Sequence, residues 1–253
     1  MPSFSIVTPV YNSASFLEAT LDSVARLTVS HEHIVVDGGS SDGTVALLES
    51  RSDPNLSWIS EPDRGQTHAV NKGFERAQGE LLGWLNGDDE YVSEGVDRAV
   101  EHLLGKPELD AAFGGLDITD ERGEVRREYR PARFSWRRYL YLGDYLPTPT
   151  IIFRRRLLEH GALDERFVDA ADYDFFLRVF RNARVERFPG ALVRFRYHPE
   201  SKTARDAFRG QDEALRIRLK WARGPLGRGA MKAMDRTKRL VLPRISAWPR
   251  LFP

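Results

Sequence analysis

Along the first 105 residues the apolar positions switch repeatedly between two periods. Phe4-Ser5-Ile6-Val7-Thr8-Pro9-Val10 is a short β-branched run closed by the turn chemistry of Tyr11-Asn12-Ser13, and it reads as a strand. From Ser15 the period lengthens: Leu17, Leu21 and Val24 share one helical face, and Ser15 with Glu18 has the spacing of a capping box. The alternation then repeats. His33-Ile34-Val35-Val36-Asp37, Leu56-Ser57-Trp58-Ile59-Ser60 and the run from Leu81 to Asn86 read as further strands. Thr44 to Ser50, the face of Val70, Phe74 and Ala77, and the face of Val96, Val100, Leu103 and Leu104 read as the intervening helices. Strands alternating with helices imply parallel pairing through right-handed crossovers, hence an α/β fold with a doubly wound sheet whose ligand sits at the strand carboxyl ends.

Past residue 105 the pattern loosens. Ala111 to Ile118 reads as another strand, and Asp120-Glu121-Arg122-Gly123 as the turn of a hairpin. Arg126 to Leu146 is rich in Arg, Tyr and Trp without a clear period, a mixed stretch of loop and helix suited to covering a site. Within it, the rings of Phe134 to Tyr141 face either an acceptor or the core, whereas Trp84 is assigned to the core. Asp172 to Asn182 returns to helix and Arg187 to Tyr197 to strand. From Gln211 onward Leu215, Leu219 and Ala222 share a face among Arg216, Arg218, Lys220 and Arg223, and a second basic segment runs from Lys232 to Arg244.

Composition narrows the class. With 253 residues, 41% hydrophobic and 30% charged, the chain can bury an enzyme-sized core, which excludes disorder and coiled coil as whole-chain readings. Zero cysteines remove disulfide frameworks, thiolate metal sites and cysteine nucleophiles. No apolar run is long enough for a membrane span, and the start lacks a signal-peptide pattern, so the expected location is the cytoplasm. The net charge of +1 is a sum of unlike parts: residues 204–253 carry +9 and the preceding 203 residues −8. An acidic body with a basic amphipathic tail suggests contact with an anionic membrane inner face through residues 211–244, or a helix packed on the body or on a partner. The acidic body and the lack of a nucleic-acid-binding module argue against nucleic acid.

The acids are placed informatively. Asp37, Asp63, Asp88 and Asp89 each follow an apolar run, which brings four carboxylates to one sheet edge. Neighbouring buried carboxylates repel unless a cation or hydrogen-bond donors compensate them, and Mn²⁺ or Mg²⁺ does so while sharing its shell with phosphate oxygens. Asp172, at the opening of a helix, has the position of an N-cap on spacing alone.

An ordered set of segments resembles the family 2 glycosyltransferases of the GT-A fold. They are Ser5 to Asn12, Val35 to Thr44, Glu61 to Gln66, Ala69 to Gly73, Leu85 to Asp89, Pro147 to Arg154, Gly161 to Glu165, the Asp172 helix, and Tyr197 to Thr203. The resemblance implies an inverting enzyme that moves a sugar from a nucleotide-diphosphate donor, with UDP the expected nucleotide, to a glycan or lipid-linked acceptor in surface polysaccharide or glycolipid synthesis. It implies a GT-A domain over 1–203 with a doubly wound mixed sheet, its parallel nucleotide-sugar half to residue 105 and an acceptor half from 106, followed by the basic, partly helical tail 204–253. By that resemblance Asp37 reads the base, and Thr8, Pro9, Tyr11, Asp63 and Arg64 line the nucleotide. Asp88 approaches the ribose or metal, Asp89 and His198 hold the metal, with Ser201 and Lys202 weaker candidates for the phosphates, and Asp172 is the general base. One position departs: many relatives have Glu immediately before that Asp, where this chain has Ala171. The departure motivates an alternative, a non-catalytic sugar-nucleotide or glycan-binding protein on the same scaffold.

Overall fold

The computed structural model describes residues 2–199, 201, 209–222, 227–229, 231–233 and 235. The first strand, β1 (Phe4–Val10), lies between β2 (His31–Asp37) and β4 (Leu81–Trp84), with β3 (Leu56–Ser60) outside β2, and all four run parallel. Helices α1 (Leu17–Ala25), α2 (Thr44–Ser50) and α3 (Gln66–Arg76) make the crossovers. Alternate residues of these strands leave on opposite faces. Val7 and Val36 therefore join one core with α3, whereas Phe4, Ile6 and Leu81 join another with α4 (Ser93–Leu104). Burial on both faces is why β1 is a nearly unbroken apolar run.

The sheet continues in order as β4, β8 (Ile151–Arg154), β6 (Ala111–Thr119), β9 (Val185–Arg196) and β5 (Glu90–Tyr91), and β7 (Val125–Tyr129) forms a hairpin with β6. Strand β8 runs antiparallel to both β4 and β6, so a single reversed strand interrupts the common direction at the centre of the sheet. This confirms the mixed doubly wound sheet. Helix α5 (Trp136–Leu142) covers the second half, and α6 (Ala171–Val179) packs beside it.

One local expectation needs correction. The capping box at Ser15 is not formed: α1 begins at Leu17 after Phe16 with no side-chain cap, and the Ser13 carbonyl accepts the N–H groups of Phe16 and Leu17 instead. The described start of the tail packs on the body, one of the positions its sequence allows. Helix α7 (Arg209–Trp221) buries Ile217 completely in the core shared with α3 and α6, with Leu215, Leu219 and Trp221 packed against it. Its buried Arg218 pairs with Asp235 at 2.6 Å. The apolar face that would have met a membrane is spent on the body. Most of the second basic segment, and residues 236–253, lie outside the described residues.

Candidate active site

The loops leaving β1 and β2 are stitched together. Asn12, in the left-handed region at φ 50°, donates its N–H to Ser40 Oγ at 2.7 Å and accepts from the Ser41 N–H at 2.9 Å. Asp42 accepts from the N–H of Ala14 (3.0 Å) and caps α2 through Thr44. The Gly-Ser-Ser-Asp-Gly-Thr run is thus a clasp, and beside it the Tyr11 ring stands 66% exposed, available to stack on a base.

Asp37 anchors this clasp from below. It is fully buried, and its carboxylate accepts from the N–H groups of Gly39 (3.1 Å) and Ser40 (3.0 Å), from Ser60 Oγ (2.6 Å) and from Ser40 Oγ. Through these bonds Asp37 organises the loop. Thr8 and Pro9 do not line the surface either: both are buried, and the Thr8 hydroxyl meets His33 Nε2 at 2.8 Å. Burial holds His33 well below the usual imidazole value, at about 3, so it is neutral. Arg64 pairs with Glu165 through Nη2 (2.6 Å) and Nε (3.1 Å).

After β4 the two adjacent acids separate by role. Asp89 is fully buried: Oδ1 accepts from the Arg196 N–H at 3.1 Å and Oδ2 from Asn86 Nδ2 at 3.1 Å. Burial first and the charge of Asp88 second push the Asp89 carboxyl up. Asp88 keeps 30% of its side chain exposed, and its Oδ2 lies 3.1 Å from His198 Nε2. The His198 ring is held against Phe16, with centroids 4.6 Å apart. One carboxylate and one imidazole facing each other form a partial donor set for Mn²⁺ or Mg²⁺, to which a diphosphate would add its oxygens. Asp89, turned inward, does not fit that task. Among the described residues no three His, Asp or Glu side chains gather as a cation site. Ser201 is buried, and Lys202 lies outside the described residues.

Beside this turn opens a cavity of about 640 Å³. Gln66 and Asn86 form the wall shared with the acidic turn, joined by a hydrogen bond of 2.9 Å, and Asp172 and Asp144 lie on the cavity lining. Asp172 is not the N-cap of α6, which is Ala170; it sits in the first turn. Its Oδ2 accepts from Thr148 Oγ1 at 2.7 Å and its Oδ1 from the Tyr173 N–H at 2.7 Å, so the carboxylate is oriented from two sides. The nearby charge of Asp172 adds to enclosure in raising the Asp144 carboxyl. The aromatic stretch mostly packs: Tyr139 is buried and the Trp136 indole donates to the Leu177 carbonyl at 2.8 Å, leaving Leu142, Tyr129 and Tyr145 to the lining.

Sequence reasoning missed several residues. Asn71 clasps Leu163 twice, at 3.0 Å each way, tying α3 to the loop before α6. Arg196, stacked over Phe16 at 5.2 Å, bonds the Asp88 carbonyl. Glu213 of α7 accepts the main-chain N–H groups of Val168, Asp169 and Ala170.

A parallel half ending in acidic loops, joined across an antiparallel strand to a second half whose helix carries a carboxylate over a cavity, is the GT-A arrangement of glycosyltransferases. The profile of Glycosyl transferase family 2 matches residues 5–167, and the chain belongs to that family. It is 36% identical over 183 residues to an uncharacterized glycosyltransferase of Mycobacterium tuberculosis, covering 70% of this chain and 69% of that one. It is 30% identical to the glycosyltransferase EpsJ of Bacillus subtilis over 80% of this chain and 63% of the relative. Among solved structures, S. aureus TarS in complex with UDP superposes with a TM-score of 0.69 at 21% identity, covering 98% of this chain and 74% of that one. The mannosyltransferase PcManGT of Pyrobaculum calidifontis, in complex with GDP-Man and Mn²⁺, gives 0.64 at 21% identity, covering 92% and 69%. The chain spans 64% of the TarS structure solved with UDP-GlcNAc and 34% of a relative from Rickettsia conorii. Among the described residues no helix is long and apolar enough to cross a membrane.

Proposed function

We propose that this chain transfers a glycosyl group, with inversion, from a nucleotide-diphosphate sugar to a hydroxyl of a glycan or lipid-linked acceptor held in the 640 Å³ cavity. The observation that carries the reading is Asp172, a carboxylate oriented by Thr148 and by its own helix on the wall of a cavity that adjoins the acidic turn. Such a carboxylate takes the acceptor proton as the hydroxyl attacks the anomeric carbon from the face opposite the leaving diphosphate. Tyr11 and Asp63 border the nucleotide, and Asp88 with His198 binds the divalent cation. When bound, that cation neutralises the charge that grows on the departing diphosphate. The UDP and UDP-GlcNAc complexes of TarS and the GDP-Man and Mn²⁺ complex of PcManGT support a donor of this class.

Titration calorimetry with UDP, dTDP and GDP, each with and without Mn²⁺, tests the donor site, followed by nucleotide release from the corresponding sugar donors in the presence of saccharide acceptors. The expected result is metal-dependent binding of one nucleotide and acceptor-dependent release that Asp172→Asn lowers at least about a hundredfold. Absence of nucleotide binding under every metal condition overturns the reading.

A further inference from the structure

Asp144 lines the same cavity as Asp172, and the transfer chemistry leaves it unused. It follows Gly143, which closes α5 at a positive φ of 88°, a turn that carries the chain from the helix onto the cavity lining. The loop from 143 to 148 is tied to the base twice. It contributes Asp144, and it contributes Thr148, whose hydroxyl donates to Asp172 Oδ2 at 2.7 Å. The loop is itself held in place: the Leu146 N–H donates to Asp144 Oδ1 at 3.2 Å, and the Tyr129 hydroxyl donates to the Tyr145 carbonyl at 2.9 Å. One short loop thus fixes two carboxyls on one cavity wall.

The surface that Asp144 exposes is cavity surface, with protein around it. That enclosure first, and the charge of Asp172 second, push its carboxyl up to about 8, against the opposing hydrogen bonds of Leu146 and the buried Tyr139 phenol. No cation offsets the pair. Among the described residues Asp144 makes no ion pair, and the titratable groups facing it are Asp172 and Tyr173 of α6, Tyr139 of α5 and Tyr129 of β7. The Arg218 guanidinium, also on the lining, is taken by Asp235 at 2.6 Å. At neutral pH Asp144 therefore keeps its proton, and a carboxylic acid both donates and accepts a hydrogen bond. A sugar hydroxyl does the same, so the two match in both senses.

Resting on the transfer reading above, we propose that Asp144 contacts the acceptor, holding a second hydroxyl of the sugar whose first hydroxyl gives its proton to Asp172. The acceptor class this implies is a saccharide with two free hydroxyls on the unit that is glycosylated. Two contacts to one ring orient the attacking oxygen where a single contact would leave the ring free to turn. Ionisation of Asp144 removes the donated bond and sets a second negative charge beside the base.

Steady-state transfer tests this, with UDP-glucose, UDP-GlcNAc, dTDP-glucose and GDP-Man as donors and the methyl glycosides of glucose, galactose, mannose and N-acetylglucosamine as acceptors. Asp144→Ala should raise the acceptor KM at least about tenfold, with nucleotide affinity by calorimetry unaltered. Asp144→Asn, which keeps a donor and an acceptor in the same shape, should raise it by no more than about threefold at neutral pH. Wild-type kcat/KM for the acceptor should fall as pH rises through the Asp144 ionisation, and the fall should be missing in Asp144→Asn, whose amide does not ionise. Among monodeoxy analogues of the glycoside that is turned over, one should lose about tenfold in the wild type and little in Asp144→Ala, because its missing hydroxyl is the one Asp144 held. A melting curve checks that each variant is folded. The proposal is overturned if folded Asp144→Ala keeps the wild-type acceptor KM, or if every deoxy analogue loses as much in that variant as in the wild type. It is equally overturned if the alkaline fall persists in Asp144→Asn. A wild type that transfers to none of the glycosides from any donor overturns the transfer reading, and this proposal with it, a different and separately visible failure.

Discussion

Glu213 on α7 caps the helix that carries Asp172: its Oε2 accepts the Ala170 N–H at 3.0 Å and the Asp169 N–H at 2.8 Å. The residues immediately before Asp172 are alanines, with Ala171 buried in the core. The carboxylate that satisfies the unpaired N–H groups at this helix start thus comes from another helix, 43 residues downstream of Ala170. Glu213 does not itself line the cavity, but it holds the main chain of three residues that do, Val168, Asp169 and Ala170, and so acts through the backbone, as a positioning residue.

Glu213→Ala should lower stability by about 1–2 kcal/mol, the usual cost of a lost helix cap. It should reduce kcat while leaving nucleotide affinity unchanged, because the donor loops lie elsewhere. Glu213→Gln, which keeps an accepting oxygen, should recover much of the loss. A melting curve with steady-state kinetics checks both, and equal losses in the two variants would contradict the capping role.

Asp172→Asn preserves shape and removes the proton acceptor, so kcat should fall about 10²- to 10⁴-fold. Nucleotide affinity measured by calorimetry should be unaltered. Thr148→Val removes the hydroxyl that orients Oδ2 and should cost kcat less than the Asp172 change.

The two acids after β4 should respond differently. Asp88→Ala and His198→Ala should raise the Mn²⁺ concentration needed for nucleotide binding, with little effect on melting. Asp89→Ala should mainly destabilise the chain, by about 1–3 kcal/mol, because it strips a buried acceptor from Asn86 and from the Arg196 N–H. Metal titrations and thermal melts on the three variants separate these outcomes.

His33 gives a stability profile with a definite sign. Its folded value of about 3 lies below the ordinary 6.5, so the unfolded chain binds a proton in that interval and the folded chain does not. The contribution is complete above about 6.5 and is lost as pH falls, by about 1.4 kcal/mol per pH unit down to about 3. Replacing His33 with Gln should flatten the denaturation curve over that interval, as measured by urea titration at several pH values.

The parallel half was readable because both faces of β1, β2 and β4 are buried, which writes nearly continuous apolar runs into the chain. The two-residue β5 is too short for any period to show, and β8 appeared only as part of a motif, without the antiparallel position it takes between β4 and β6. Asp172, named from the resemblance, lies on the cavity lining, and Asp88 and His198 face each other at the acidic turn. Their division of labour with Asp89 was not legible, since adjacent residues at a turn diverge and only Arg196, 107 positions away, shows which one points inward. The bonds that hold Asp37 are illegible for the same reason: its Ser60 donor lies 23 residues away on the next strand. Glu213 carries no local signal at all, because its partners are main-chain N–H groups that any residue would have supplied.

The hydrogen bond from Gln66 to Asn86 is where the lining of the cavity meets the acidic turn. On the donor reading proposed above, the nucleotide would meet residues 11–89, whereas most of the cavity wall comes from 116–235. Under that reading divergence can exchange one substrate while inheriting the other, with Gln66 and Asn86 as the hinge-line that any such recombination has to respect.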